Sequence, residues 1–289
     1  MKGLILAGGT GSRLYPITFG VSKQLIPVYD KPMIYYPLST IMLSGCTEVA
    51  IIVSPEHQTS FSNLLGDGSH LGISITYIQQ SAPRGLADAY LVAEEFLAGE
   101  SSCMALGDNL IYGPGLGTKL SSSAPTNGGL VFGYKVSNPE LYGVVIRDAQ
   151  GRPIKLVEKP KQFLSDIAIP GLYFLDSSAS VRAKRLKPSG RGEIEITDLL
   201  QSYLDDDLLE VSLMPRGTVW LDTGNFDAMA EATEYVKVVQ TREGRKLGAP
   251  EEIAWRLGLI SDEDLRNLGK ALAKSGYGKY LLSLLDVAR

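Results

Sequence analysis

Two groups of side chains in this sequence can do phosphate chemistry: cations set around a glycine-rich turn, and carboxylates set at the ends of apolar runs. The turn is Gly8-Gly9-Thr10-Gly11-Ser12-Arg13, directly after the apolar run Gly3 to Ala7. Gly8, Gly9 and Gly11 free the backbone for positive φ and for close approach of main-chain N–H groups to an anion. Arg13 and Lys23, ten residues apart, add fixed positive charge. The combination suits a nucleoside triphosphate. Two commoner phosphate loops are excluded, because no Gly-Lys-Ser/Thr follows Gly11 and Leu14 stands where G-x-G-x-x-G needs its third glycine. The glycines alone also fit a plain tight turn after a strand; the two cations argue for a ligand.

The carboxylates are Asp108 and Asp222. The run Ser102 to Leu106 leads into Gly107-Asp108, and Thr218-Val219-Trp220-Leu221 leads into Asp222-Thr223-Gly224. A strand fixes the backbone of an acid at its end, and a neighbouring glycine leaves room for phosphates. From two different strands, Asp108 and Asp222 can share one Mg²⁺ and leave coordination positions for phosphate oxygens and water. For Asp108 the competing reading is a turn or N-cap aspartate.

Placing these groups requires an α/β frame. Gly3 to Ala7 and Val49 to Val53 read as buried parallel strands, with Met33 to Ser44 a helix between them that ends near Gly45. This βαβ unit predicts a right-handed crossover and a Rossmann-like doubly wound sheet. Ile73 to Ile78 alternates as a strand, and Leu86, Ala89, Tyr90, Ala93 and Leu97 are spaced as one amphipathic helix. Further strands are expected at Gly129 to Val136, from Tyr142 to Ile146, and from Pro153 to Glu158. From Asp227 the pattern turns helical, through Pro250 to Leu257 and then Ser261 to Asp286, with Ser261 as an N-cap. No Pro/Ser linker separates this part, so residues 1–226 are expected to form the α/β core and residues 227–289 a helical extension packed on it.

Taken together, Leu6-Ala7-Gly8-Gly9-Thr10-Gly11-Ser12-Arg13-Leu14-x-Pro16 and Ser22-Lys23-Gln24-Leu25-x-Pro27 resemble the signature of sugar-1-phosphate nucleotidylyltransferases. The likeness is nearest to the short bacterial members that use dTTP, and it continues in Gln80-x-x-Pro83-x-Gly85-Leu86-Ala87, Glu158-Lys159-Pro160, Arg191-Gly192-Glu193-x-Glu195-Ile196-Thr197-Asp198 and Trp220-x-Asp222-x-Gly224. It implies the mixed sheet of nucleotide-diphospho-sugar transferases. It also implies an Mg²⁺-dependent reaction of dTTP with glucose 1-phosphate to give dTDP-glucose and pyrophosphate, at the head of a dTDP-deoxysugar pathway such as that of dTDP-rhamnose. In that scheme Leu6, Gly8, Gly9, Thr10, Gly11, Gln24, Gln80, Pro83 and Gly85 hold the nucleotide, and Gln80 reads the base, an amide offering one donor and one acceptor to the thymine edge. Leu86, Asn109, Tyr142, Gly143, Glu158, Lys159, Ile169 and Trp220 hold the sugar phosphate. Arg13, Lys23, Asp108 and Asp222 are the catalytic set, with the two aspartates on the metal. The acids of the Arg191 to Asp198 stretch read mainly as architecture, with Thr197 capping a helix. The resemblance further implies a homotetramer with feedback inhibition by a dTDP-sugar at Gly113, Glu252, Ile253 and Arg256, positions that equally suit helix packing and surface. A uridylyltransferase is the nearest rival, and a non-catalytic nucleotide-sugar sensor the rival from another class.

Composition narrows the partners. A net charge of −4 argues against a general nucleic-acid surface, leaving phosphate binding to local cations. No apolar run approaches the roughly 20 residues that span a bilayer, and the start of the chain has no leader pattern, so a cytoplasmic location is expected. Cys46 and Cys103 sit among apolar or small residues and read as buried thiols; with only two histidines beside them, no zinc cluster is expected.

Overall fold

The computed structural model describes residues 1–125 and 127–286. The chain opens with β1 (Lys2–Ala7), a short hairpin β2 (Pro27–Val28) and β3 (Lys31–Pro32), then α1 (Tyr35–Leu43), β4 (Glu48–Val53), α2 (Gln58–Leu65) and β5 (Ser74–Gln79). Next come α3 (Asp88–Val92), α4 (Glu94–Leu97), β6 (Ser102–Leu106), β7 (Asn109–Tyr112) and α5 (Leu116–Ser121). The middle of the chain supplies β8 (Gly129–Lys135), β9 (Gly143–Arg147), β10 (Pro153–Glu158), β11 (Ile167–Ala168), β12 (Leu172–Leu175), α6 (Ala179–Ala183), α7 (Ile196–Asp205), β13 (Leu209–Leu213) and β14 (Val219–Asp222). It closes with α8 (Phe226–Glu243), α9 (Pro250–Arg256), α10 (Asp262–Ala271) and α11 (Gly276–Ser283).

Among the described residues ten strands form one mixed sheet, ordered β10-β9-β11-β8-β12-β6-β1-β4-β5 with β13 beside β8. β6, β1, β4 and β5 are parallel, whereas β12 runs antiparallel to both β6 and β8. The period-2 pattern divides the core: Ile5, Ile51, Val53 and Cys103 bury on one face, Leu4, Ile52 and Met104 on the other. This is why the parallel strands read as continuous apolar runs, since both of their faces are covered. The first face is covered by α1 together with the C-terminal helices, which contribute Trp255, Leu265 and Leu281; the second is covered by α3, α6 and α7 through Tyr90, Ala183 and Tyr203. Cys46 and Cys103 are free and buried. No helix among the described residues is long and apolar enough to cross a membrane.

Three details differ from the sequence expectation, and a fourth was not part of it. The single helix expected up to Leu97 is two short ones, because the Ala93 backbone leaves helical geometry at φ −96°, ψ 7° while Tyr90 and Leu97 both bury. The stretch Ser261 to Asp286 is likewise broken: Ser261 starts α10 with a reciprocal capping box, and Ser275 starts α11 by accepting from the Gly278 N–H. Glu195, not Thr197, is the N-cap residue of α7, and Thr197 lies in the first turn. Finally, the strand carrying Asp222 is not part of the large sheet; β14 pairs antiparallel with β7 in a ribbon of its own.

Candidate active site

That ribbon explains how two acids distant in sequence converge. Asp108 sits in the tight turn between β6 and β7, and the β7–β14 register sets Asp222 opposite Asn109. Thr223, fully buried, donates from its backbone N–H and its hydroxyl to the Asp108 carbonyl, at 3.1 and 2.8 Å. The Asp108 carboxylate accepts from Lys23 Nζ at 2.5 Å and from Asn109 Nδ2 at 2.9 Å. Lys23 is itself buried, which selects for such a partner. Asp222 has no comparable neutralisation: burial first, then the negative charge of Asp108, push its carboxyl up to about 6. Lys23 and Arg13 oppose that shift without cancelling it. Two carboxylates so arranged are short of positive charge, and relieving their repulsion is what a hard divalent cation does. The donor set therefore fits Mg²⁺.

The side expected to meet phosphate is built by the loop after β1. Gly11 adopts φ 63°, and an added Cβ there would meet the Thr18 side chain at 2.9 Å, while the Thr18 hydroxyl donates to the Gly11 carbonyl. Leu14, fully buried, anchors the short 3₁₀ turn Ser12–Leu14 and leaves Arg13 exposed on the cleft. Arg13 reaches across to the second ribbon: its Nη1 and the Asp222 carboxylate lie 3.2 and 3.3 Å from where a Gly224 Cβ would stand. Gln24 is buried, its Oε1 accepting from Ser22 Oγ at 2.8 Å.

The residues expected to face the base follow β5. Gln80 is buried, and its Nε2 donates to Asp88 Oδ2 at 2.8 Å. Gly8 does not line the cleft; its missing Cβ makes room for Gln80, whose Oε1 would lie 2.9 Å from it. Gly85, at φ 106°, brings the loop against the backbone of Ile194, with the Ile194 N–H donating to the Arg84 carbonyl at 2.7 Å.

Among the residues expected on the sugar side, Trp220 Nε1 donates to Asn109 Oδ1 at 2.6 Å, and the Tyr142 and Tyr134 rings lie 4.8 and 5.7 Å from the Trp220 ring. Burial raises the Glu158 carboxyl, offset by Lys159 and Arg191, whose nitrogens lie 3.8 and 3.7 Å away. Arg191 also bonds Glu195 at 2.8 Å, and the Ser189 hydroxyl donates to the same carboxylate. The stretch read mainly as architecture thus also faces the cleft, since Arg191, Glu193 and Glu195 all line it. Arg191 and Glu195 pair in the loop ahead of α7, outside any helix, so no local signal marked their pairing or the side they face.

Most of these groups line one open cleft of about 1240 Å³; Gly8, Thr18, Asp88 and Thr223 are outside its lining. Of the expected binding and catalytic residues, Arg13, Lys23, Asp108, Asp222, Gln24, Gln80, Leu86, Glu158, Lys159 and Trp220 line it, as do Leu6, Gly9, Thr10, Gly11, Pro83, Gly85, Asn109, Tyr142, Gly143 and Ile169. The expected regulatory residues do not: Gly113 follows β7 and packs on Thr218, while Glu252, Ile253 and Arg256 lie on α9, where Arg256 Nε bonds Glu252 at 2.8 Å.

Comparison with known proteins agrees with this geometry. The family model described as Nucleotidyl transferase matches residues 2–238. A glucose-1-phosphate thymidylyltransferase of Mycolicibacterium smegmatis is 51% identical over 286 residues, covering 99% of each chain. The enzyme of that name from Neisseria meningitidis is also 51% identical over 286 residues, again covering 99% of each. A solved structure described as a glucose-1-phosphate thymidylyltransferase of Bacillus anthracis, in complex with a sucrose, superposes with TM-score 0.74 at 36% identity, over 81% of this chain and 94% of that one. A UDP-glucose pyrophosphorylase complexed with UDP-glucose, at 24% identity and TM-score 0.72 over 82% of this chain and 98% of its own, shares the fold.

Proposed function

The chain belongs to the nucleotidyl transferase family, and we propose that it transfers a thymidylyl group from dTTP to glucose 1-phosphate, releasing pyrophosphate and dTDP-glucose. The observation that carries this reading is the continuity of one cleft from Gln80, past Arg13, Lys23, Asp108 and Asp222, to Glu158. A base subsite, a phosphate centre and a polyol subsite in that order are what the two substrates require. The full-length relatives at 51% identity support the same pair of substrates.

A phosphate oxygen of glucose 1-phosphate, anionic at neutral pH, attacks the α-phosphorus in line; the new P–O bond forms as the bond to the β-phosphate oxygen breaks, and pyrophosphate takes the electron pair. No side-chain base is needed, so catalysis rests on positioning and charge. Asp108 and Asp222 are the residues that would hold Mg²⁺, which when bound supplies charge neutralisation at the reacting phosphates. Arg13, exposed on the phosphate loop, holds the departing phosphates. Lys23, held by Asp108, faces the phosphoryl group being transferred. Glu158 accepts hydrogen bonds from sugar hydroxyls, and Lys159 meets the sugar's phosphate. Feedback inhibition of a tetramer by a dTDP-sugar at Gly113 and α9 fits residues that lie outside the cleft. It predicts inhibition that persists at saturating substrate.

The deciding experiment is initial-rate pyrophosphate release with glucose 1-phosphate and Mg²⁺, comparing dTTP, UTP, ATP, CTP and GTP. The expected order has dTTP first and UTP second, because a single methyl in a pocket is worth only about 1–3 kcal/mol of discrimination. Failure of every nucleotide with any hexose 1-phosphate would overturn the reading.

A further inference from the structure

The contact between Gln80 and Asp88 has no part in the roles just given. Gln80 is 4% exposed and Asp88 1% exposed, and Asp88 does not line the cleft. Gln80 Nε2 donates to Asp88 Oδ2 at 2.8 Å, while Arg84 Nε lies 3.4 Å from the other carboxylate oxygen. A side-chain amide has two nearly isosteric orientations, and a neutral partner can serve either one. A carboxylate serves only one, because it accepts and does not donate. Beside Asp88 the amide nitrogen must turn toward the carboxylate, and Oε1 must turn away, to the side where Gly8 leaves space for it.

We infer that Asp88 is a specificity-determining positioning residue: by holding the Gln80 amide nitrogen, it makes the carbonyl oxygen the edge presented to the nucleobase. This rests on the reading of Gln80 as the base-contacting residue. A carbonyl there requires an N–H donor at ring position 3, which thymine and uracil have. Cytosine has a lone pair at that position, so the two acceptors face each other unpaired. The second N–H of Gln80 remains available to a base carbonyl, which cytosine replaces by an amino donor at C4. A buried site built around such hydrogen bonds rejects the mismatched analogue far more strongly than a pocket rejects a missing methyl.

The pair dUTP and dCTP isolates this edge, since both have the same sugar and lack the 5-methyl group. With glucose 1-phosphate and Mg²⁺, the unaltered enzyme is expected to prefer dUTP over dCTP in kcat/KM by about a hundredfold or more. Asp88→Asn, whose amide can donate to Oε1 as readily as accept from Nε2, is expected to cut that ratio by about tenfold or more, chiefly by admitting dCTP. Asp88→Ala, which removes the acceptor and supplies no donor, should lower the ratio too and serves if the Asn variant does not fold. A purely structural Asp88 would lower both rates together and leave the ratio unchanged, and that result in either folded variant would overturn the inference. So would near-equal use of dUTP and dCTP by the unaltered enzyme. Absence of pyrophosphate release with dTTP and dUTP would instead remove the reaction itself, and the inference with it; activity with an unmoved ratio removes only the role of Asp88.

Discussion

At the scale of single residues, charge decides the chemistry and titration exposes it. Losing one preorganised charge contact in a transition state commonly costs about 3–4 kcal/mol, a hundred- to a thousandfold in rate. Arg13→Ala and Asp222→Asn should each lower kcat by that factor while the fold is kept, which circular dichroism would verify; near-normal turnover would remove the residue from the mechanism. The raised carboxyl of Asp222 also makes a stability prediction for the metal-free protein. Its folded value, about 6, lies above its ordinary 3.8, so the folded chain binds this proton more tightly than the unfolded chain does. The resulting stabilisation is complete below about pH 4 and is lost as the pH rises through about 6. Asp222→Asn carries no such titration, so in urea titrations with chelator the wild type should lose stability relative to this variant between those limits. A difference that stays flat with pH would show that burial and the Asp108 charge do not raise the Asp222 carboxyl.

At the scale of elements, backbone contacts hold the subsites in register. Gly85 is the clearest case: an alanine there would carry a Cβ within 2.6 Å of the Ile194 nitrogen, at φ 106°, which L side chains rarely adopt. The strain alone is about 1–3 kcal/mol, and its relief must pull the Arg84–Ile194 bond apart. Gly85→Ala should therefore raise KM for the nucleotide more than it lowers kcat, and shift the melting midpoint down; unchanged KM would mean the loop does not set the base subsite. These elements also show what the sequence makes legible. Strand-end acids, the glycine turn and the parallel strands are local patterns, so Asp108, Asp222 and β1, β4 and β6 are readable from adjacent residues. The pairing of β7 with β14 joins residues about a hundred positions apart, and no local signal specifies it. The same holds for Lys23 on Asp108 and for the face that Arg191 and Glu195 present. The break at Ala93 was hidden because alanine is a good helix former, and Tyr90 and Leu97, seven residues apart, would bury on one face of an unbroken helix as well.

At the scale of the whole molecule, the C-terminal helices share one core with the nucleotide-binding sheet. Ala254, Trp255, Ile260, Leu265, Tyr277 and Leu281 bury in the same cluster as Ile34, Leu38 and Ile41. The junction also holds charge: Lys31, buried, bonds Asp30 at 2.6 Å and lies over the Tyr36 and Tyr277 rings, and Asp30 is further paired with Lys246. Removing the helices would strip Asp30 of Lys246 and Lys31 of the Tyr277 ring, and breaking a partly buried ion pair is destabilising. Each large apolar side chain returned to water costs about 1.5–3 kcal/mol, so the five large ones among these are of the same size as the roughly 5–15 kcal/mol that separates folded from unfolded chains. Residues 227–289 should then fold with the core and never apart from it. The two tryptophans allow a direct measurement, because Trp220 stands in the cleft and Trp255 in α9. In urea, Trp255→Phe reports the cleft and Trp220→Phe reports the extension; with far-ultraviolet circular dichroism recorded for each variant, fluorescence and ellipticity should give coincident midpoints in both. An extension that melts ahead of the backbone signal would make it a separate unit, and a chain ending at Glu243 would then be recovered folded instead of aggregated.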